Sequence, residues 1–242
     1  TWTATLKGLR DFIVEKKRTL PLVLGEAIAA DTWVEAEPLL KKAGDQKPFW
    51  IPGFFHDSIQ WLQKTQAVFG PEGLGNLTAD SLRYAMLMRK YQAETYRREI
   101  PAGSYVISVL RDFPLAAMGL LDYGDDPKWS AADWEWQRDT CLLLATEADR
   151  RSFTGGGRLK AEVLVSHFGR RPLEGADLEV SVEAGDAQGT RLQSAAKGLA
   201  QELGTLKKVL DLDLELPRVE RPERLTVRAV LKTPEGEILN AW

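Results

Sequence analysis

The sequence predicts two structural classes in one chain: an α/β part with parallel strands of barrel type, followed by an all-β sandwich of immunoglobulin type. Three observations lead there. The run Leu20-Pro21-Leu22-Val23-Leu24-Gly25-Glu26 is apolar throughout and stops at a glycine and a carboxylate, as a strand covered on both faces does. Up to about residue 138, helical periods alternate with such runs, the pattern of parallel strands joined by crossover helices. Beyond it, short runs with strand character alternate with Gly, Pro and Asp turns. The expected domains are therefore 1–138 and 139–242, with the boundary near Arg138-Asp139.

In the first part, Leu6, Leu9, Phe12 and Ile13 recur at spacings of three and four and predict a helix from Thr3 to Lys17. The strand Leu20–Gly25 follows, then a helical piece around Trp33–Lys42. Phe49-Trp50-Ile51-Pro52-Gly53-Phe54-Phe55-His56 reads as a long aromatic loop, and loops of that length in a compact domain usually carry function. A helix is expected over Ala79–Glu99, with Thr78 as N-cap and Asp80 in the first turn. Pro101-Ala102-Gly103 breaks it. Tyr105–Leu110 reads as a second buried strand ending at Arg111-Asp112, and a short helix capped by Ser130 covers Ala131–Trp136. Two strands do not close a sheet, so this part reads as a piece of something larger.

The second part predicts strands at Thr140–Ala145, Leu159–Phe168, Leu178–Glu183, Arg191–Ala195, Val209–Leu216, Arg224–Leu231 and Glu237–Trp242. Leu210, Leu212, Leu214 and Leu216 alternate with Asp211, Asp213 and Glu215. A period of two means one buried face and one wet one. Leu199–Leu203 is expected to be loop or strand edge. Thr154-Gly155-Gly156-Gly157 lacks the Gly-Lys-Ser/Thr ending of a phosphate loop and is read as a turn.

Composition narrows the function classes. The 242 residues are 44% hydrophobic and 28% charged, ordinary for a globular protein with a sizeable core. A formal net charge of −3 leaves no electrostatic footprint for nucleic acid. No apolar stretch reaches the roughly 20 residues that span a bilayer, so no membrane partner is expected. Cys141 is alone, and His56 and His167 have no partners at ligand spacing, so neither disulfide nor metal site nor cofactor is predicted. The missing initiator Met and the abrupt ends suggest a fragment. Six tryptophans between Trp33 and Trp136, counting Trp50, Trp61, Trp129 and Trp134, crowd the first part. Trp129, Trp134 and Trp136 are expected to pack where the two parts meet.

A carboxylate at the C-terminal tip of a barrel strand sits where (β/α) barrels keep their chemistry, which singles out Glu26. The surrounding residues also carry a family likeness. Leu22-Val23-Leu24-Gly25-Glu26 resembles the seventh strand, with its nucleophile, of retaining glycoside hydrolases with (β/α)8 TIM barrels. The closest group is family two, that of β-galactosidase and β-glucuronidase. Tyr91-Gln92-Ala93-Glu94-Thr95-Tyr96-Arg97-Arg98 with Gly103-Ser104-Tyr105-Val106-Ile107 resembles the seventh helix and eighth strand. Met118-Gly119-Leu120-Leu121-Asp122 and Asp126-Pro127-Lys128 resemble the exit from the barrel, and Leu206–Pro217 with Asn240-Ala241-Trp242 the immunoglobulin-like domain that follows. The chain departs from the pattern after Glu26, where Ala27-Ile28-Ala29-Ala30-Asp31 replaces an aromatic and a glycine. It departs again at Leu110-Arg111-Asp112-Phe113, which lacks the Trp that floors the sugar site.

The resemblance implies a glycosidase cleaving β-glycosidic bonds of oligo- or polysaccharides with retention. One carboxylate attacks the anomeric carbon and another, roughly 5 Å away, protonates the leaving oxygen. Glu26 takes the first role, with Gly25 letting the sugar approach closely. The acid/base belongs to a missing N-terminal part of the same polypeptide, because no Asn-Glu dipeptide occurs here. Candidate substrate-binding residues are Asp31 and Asp112 at the strand ends, Trp33 and Trp50 as stacking platforms, and His56. Export to the periplasm or cell exterior follows if the parent degrades polysaccharide. Each residue also has a plainer reading: Glu26 and Asp31 as loop acids, Asp112 as an ion-pair partner of Arg111, and the aromatics as core. A carbohydrate-binding or structural protein that has lost catalysis, and a complete module working by surface contacts, stand as alternatives.

Overall fold

A computed structural model of the chain describes residues 2–16, 22–44, 51, 53–70, 77–101, 103–113, 116–184 and 191–242. Strand β1 (Val23–Ile28) pairs in parallel with β2 (Ser104–Ile107), Val23 opposite Ser104 and Leu24 opposite Tyr105. Helices α1 (Trp2–Glu15) and α4 (Leu77–Glu99) cover one face of the pair. Leu6, Tyr96 and Ile100 are buried there with Leu22, Leu24 and Tyr105, and Ala27, Ile28 and Ala93 with Ile107 and Trp136. Side chains alternate across a strand, so the residues between them turn the other way, and Val23 and Val106 are 57% and 48% exposed. The expected cover on both faces is thus present on one.

The described residues between β1 and β2 include helices α2 (Ala36–Ala43), α3 (Phe54–Phe69) and α4. Helix α3 replaces the second half of the expected aromatic loop. Its inward residues Phe55, Ile59 and Leu62 have helical spacing, but Phe54, Trp61, Val68 and Phe69 are exposed on the same helix and blur the apolar period. Phe55 is fully buried edge-on to Tyr123, with ring centroids 5.0 Å apart, a burial that stabilises by about 1.5–3 kcal/mol. Helix α4 begins at Leu77, one residue before Thr78, so Thr78 lies inside the first turn rather than capping it.

The described residues of the remainder form seven strands: β3 (Thr140–Thr146), β4 (Arg158–His167), β5 (Leu173–Ala184), β6 (Arg191–Gln201), β7 (Thr205–Glu215), β8 (Leu225–Lys232) and β9 (Ile238–Ala241). They form two antiparallel sheets, ordered β3-β4-β7 and β6-β5-β8-β9. Leu142, Leu159, Val163 and Leu212 from the first sheet share one core with Leu178, Val180, Val182 and Leu231 from the second. The Leu–Asp alternation of β7 behaves as its period requires, with Leu212 buried and Asp211 and Asp213 exposed. Leu199 belongs to β6, an edge strand, and Gly155–Gly157 forms a turn before β4.

Helix α4 reaches elements on both sides of residue 139. Arg97 Nη2 donates to the Arg138 carbonyl at 3.1 Å, and Arg98 pairs with Glu99 and with Asp149 at 3.0 Å. The short 3₁₀ helix Ala131–Trp134 lies between the two groups of elements. It is capped as expected at Ser130, whose backbone N–H and hydroxyl both donate to Asp133 Oδ2. Trp129 packs face-on to the Arg89 guanidinium, and Asn240 of β9 donates to the carbonyls of Glu135 and Trp136.

Candidate functional site

Strand β1 runs past Glu26 to Ile28, so the carboxylate stands within the strand rather than at its tip. The register explains how it escapes the sheet. Leu24 faces Tyr105 and Ile28 faces Ile107, which leaves Gly25, Glu26 and Ala27 opposite Val106 alone. Such a bulge bends a strand and re-aims a side chain. Glu26 is exposed, and among the described residues its carboxylate has no hydrogen-bonding or ionic partner. The space over Gly25 is open: an added Cβ meets nothing within 4 Å.

The extended segment after β1 leads into a cleft. Asp31 is exposed on it. Thr32 is buried, with its N–H and hydroxyl both donating to the Ala117 carbonyl, at 2.9 and 3.0 Å. Trp33 is anchored through its N–H to Ser81 Oγ at 2.9 Å and meets Trp61 at a centroid distance of 5.4 Å, tilted 43°. Trp33 separates two adjoining cavities. The larger, about 690 Å³, lies between α2, α3 and the first turn of α4, where Glu35, Gln63, Gln66 and Thr78 ring an apolar floor. The smaller, about 280 Å³, continues toward Asp112 and Lys128. An apolar cleft with a few converging polar groups is the usual form of a small-molecule site.

Asp112 sits at the closed end of the smaller cavity, 4% exposed. Its Oδ1 accepts from Gly119 N at 2.7 Å and from Lys128 Nζ at 2.7 Å, and Lys128 also donates to Thr32 Oγ1 and the Ala117 carbonyl. Gly119 is required by this approach: a Cβ there would come within 2.3 Å of Asp112 N. Burial pushes the Asp112 carboxyl above its ordinary range despite Lys128, and burial presses the Lys128 ammonium down. Both directions reflect the cost of taking an ion pair out of water. Arg111, the alternative partner, pairs instead with Asp125 at 3.0 Å.

The structure therefore brings Trp33 and Asp112 to one cleft. Glu26 and Asp31 lie on the strand and segment that lead to it. His56 is exposed on the first turn of α3 and lines neither cavity; Trp50 lies outside the described residues. Sequence reasoning missed Lys128 and Arg89. Arg89 is fully buried on α4 and donates to the carbonyls of Ile28, Ser108 and Met118. The signal was legible: Arg89 falls four residues from both Ala85 and Ala93, on the buried stripe of the helix. Among the described residues no group of three or more His, Cys, Asp or Glu is placed to hold a metal, and no helix is long and apolar enough to cross a membrane.

A domain of unknown function, DUF8488, matches residues 157–242. No curated protein matches the chain. Several solved structures are similar to it. An inhibitor complex of the exo-β-D-glucosaminidase CsxA is similar over 90% of this chain and 26% of its own, at 14% identity and a TM-score of 0.47. The Amycolatopsis orientalis exo-chitosanase CsxA is similar over 69% of this chain and 19% of its own, at 15% identity and a TM-score of 0.44. The Pseudomonas fluorescens alkylpurine DNA glycosylase AlkC bound to DNA is similar over 43% and 29%, at 10% identity and a TM-score of 0.30. The chain thus spans about a quarter or less of the CsxA length.

Proposed function

We propose that the chain contributes the nucleophile side of a retaining β-glycosidase, with Glu26 attacking the anomeric carbon and the Trp33 cleft holding part of the saccharide. The observation that carries the reading is the bulge at Gly25–Ala27 opposite Val106. It presents an exposed carboxylate with no partner among the described residues, on a parallel strand that leads toward the cleft lined by Trp33. A nucleophile has to reach its substrate, so a carboxylate already committed to an ion pair, such as Asp112, fits the role less well. Trp33, backed by Trp61, supplies a face on which sugar C–H groups stack, while Glu35, Gln63, Gln66 and Thr78 offer donors and acceptors for hydroxyls.

In this reading β1 and β2 are the last strands of a (β/α)8 barrel. Their free edges pair with the remaining strands, which also bring the acid/base, and their bare face, with Val23 and Val106, turns to the barrel interior. The two antiparallel sheets are an immunoglobulin-type domain beginning near Asp139. The substrate is an oligo- or polysaccharide, and no cofactor takes part. Hydrolysis of aryl β-glycosides by the intact polypeptide, lost in Glu26→Gln while saccharide binding persists, supports this reading. Saccharide binding without turnover in the wild type replaces it with a non-catalytic carbohydrate-binding protein.

A further inference from the structure

We propose that Arg89 is the positioning residue of the Glu26 site: its buried guanidinium ties together the two strand ends and the returning segment, and so holds the bulge that presents Glu26. This rests on the reading of Glu26 as nucleophile for its catalytic consequence, but not for the geometry. The bulge is bracketed by the Leu24–Tyr105 and Ile28–Ile107 pairs. At the second bracket the Ile28 carbonyl accepts from Ser108 N at 3.1 Å and from Arg89 Nη1 at 3.0 Å. The same Nη1 reaches the Ser108 carbonyl at 3.5 Å, and Nη2 donates to the Met118 carbonyl. One side chain therefore joins the end of β1, the end of β2 and the segment that carries Gly119 to Asp112.

The arrangement is costly, which argues for a purpose. Arg89 is fully buried, no carboxylate among the described residues hydrogen-bonds it, and its Nε is unpartnered. A buried cation whose hydrogen bonds go to neutral carbonyls, beside the Trp129 face 5.4 Å away, carries a desolvation cost that an apolar residue of similar size does not. Its planar fork spreads donors at fixed angles over carbonyls of three separate segments, whereas an ammonium offers its three donors from one point. Asp112 and Asp31 act on it through their charges, so it also adds positive potential where the cleft begins.

The test compares Arg89→Lys and Arg89→Met with wild type in the intact polypeptide, by amide hydrogen exchange and by kinetics on an aryl β-glycoside. Arg89→Lys is expected to raise exchange over residues 24–32 and 116–121 about tenfold, leaving the β4 and β5 amides unchanged. It should also lower kcat about 100-fold with KM unchanged, as a misplaced reacting group does. Arg89→Met should do the same more severely. Exchange unchanged over 24–32, or raised equally in all elements, overturns the proposal. If wild type shows no turnover, the nucleophile reading fails and the exchange pattern alone decides whether Arg89 holds the bulge.

Discussion

The indole Nε1 of Trp242 donates to Glu94 Oε1 at 2.6 Å, joining the residue after β9 to the C-terminal third of α4. Lys90 pairs with the same carboxylate and lies 4.0 Å from the indole centroid. Burial presses the Lys90 ammonium down, and Glu94 works against that. Since Arg89 is the next residue on the helix, the sandwich and the strand ends are braced by one turn of α4.

Removing this brace has a graded effect. Trp242→Phe keeps a ring under Lys90 but loses the hydrogen bond to a charged acceptor, and should cost about 1.5–3 kcal/mol. Trp242→Ala should cost more, since the cation–π contact goes too. Urea unfolding of both variants beside wild type measures the difference.

The Asp112–Lys128 ion pair is buried at the end of the cleft. Lys128→Met strands a buried carboxylate and should destabilise by about 3–5 kcal/mol, and Asp112→Asn with Lys128→Met should recover much of that loss. A double-mutant cycle in urea reads both effects. Equal, additive losses would mean that the two side chains act independently.

Tyr123 makes stability fall at alkaline pH. Its hydroxyl donates to the Phe113 carbonyl at 2.7 Å, and burial, aided by Asp112 and Asp31, pushes its pKa from 10.0 up to about 12. A group raised in the folded state stabilises fully below its unfolded pKa and loses that contribution as pH rises through the folded one. Wild type should therefore lose stability progressively between pH 10 and about 12. Tyr123→Phe should be weaker by about 1 kcal/mol at pH 8 and flatter across that window, measured by thermal melts over pH.

Trp33→Ala should weaken saccharide binding by roughly 3- to 10-fold, the worth of one aromatic platform. Isothermal titration with an unreactive thio-linked oligosaccharide reads it, and circular dichroism confirms the fold. Unchanged affinity would move the saccharide out of this cleft.

Much of this architecture was legible. The seven strands described after Asp139 were legible in place, most plainly in β7, where the period of two survives in Leu212 and Asp213. Strand β3 is buried at five successive residues and carries no such period, and β5 and β6 run longer than their patterns suggest. The strand β1 was legible in kind but not in extent. Ala27 and Ile28 continue it beyond Glu26, since a bulge costs extra residues that periodicity does not count. Helix α3 was hidden by its exposed Trp61, Val68 and Phe69. The fate of Asp112 depended on Lys128, 16 residues away, and on a turn held by Gly119. Tertiary pairing of that kind leaves no local signature, so an acid at a strand end reads alike whether it meets a sugar or a buried lysine.

The most direct measurement is covalent trapping. The intact polypeptide is incubated with a 2-deoxy-2-fluoro aryl β-glycoside, digested, and its peptides weighed and sequenced. The account predicts one fluorosugar on Glu26, none on Asp31 or Asp112, and no label in Glu26→Gln. A label on another carboxylate, or turnover of the unfluorinated glycoside that survives Glu26→Gln, contradicts it.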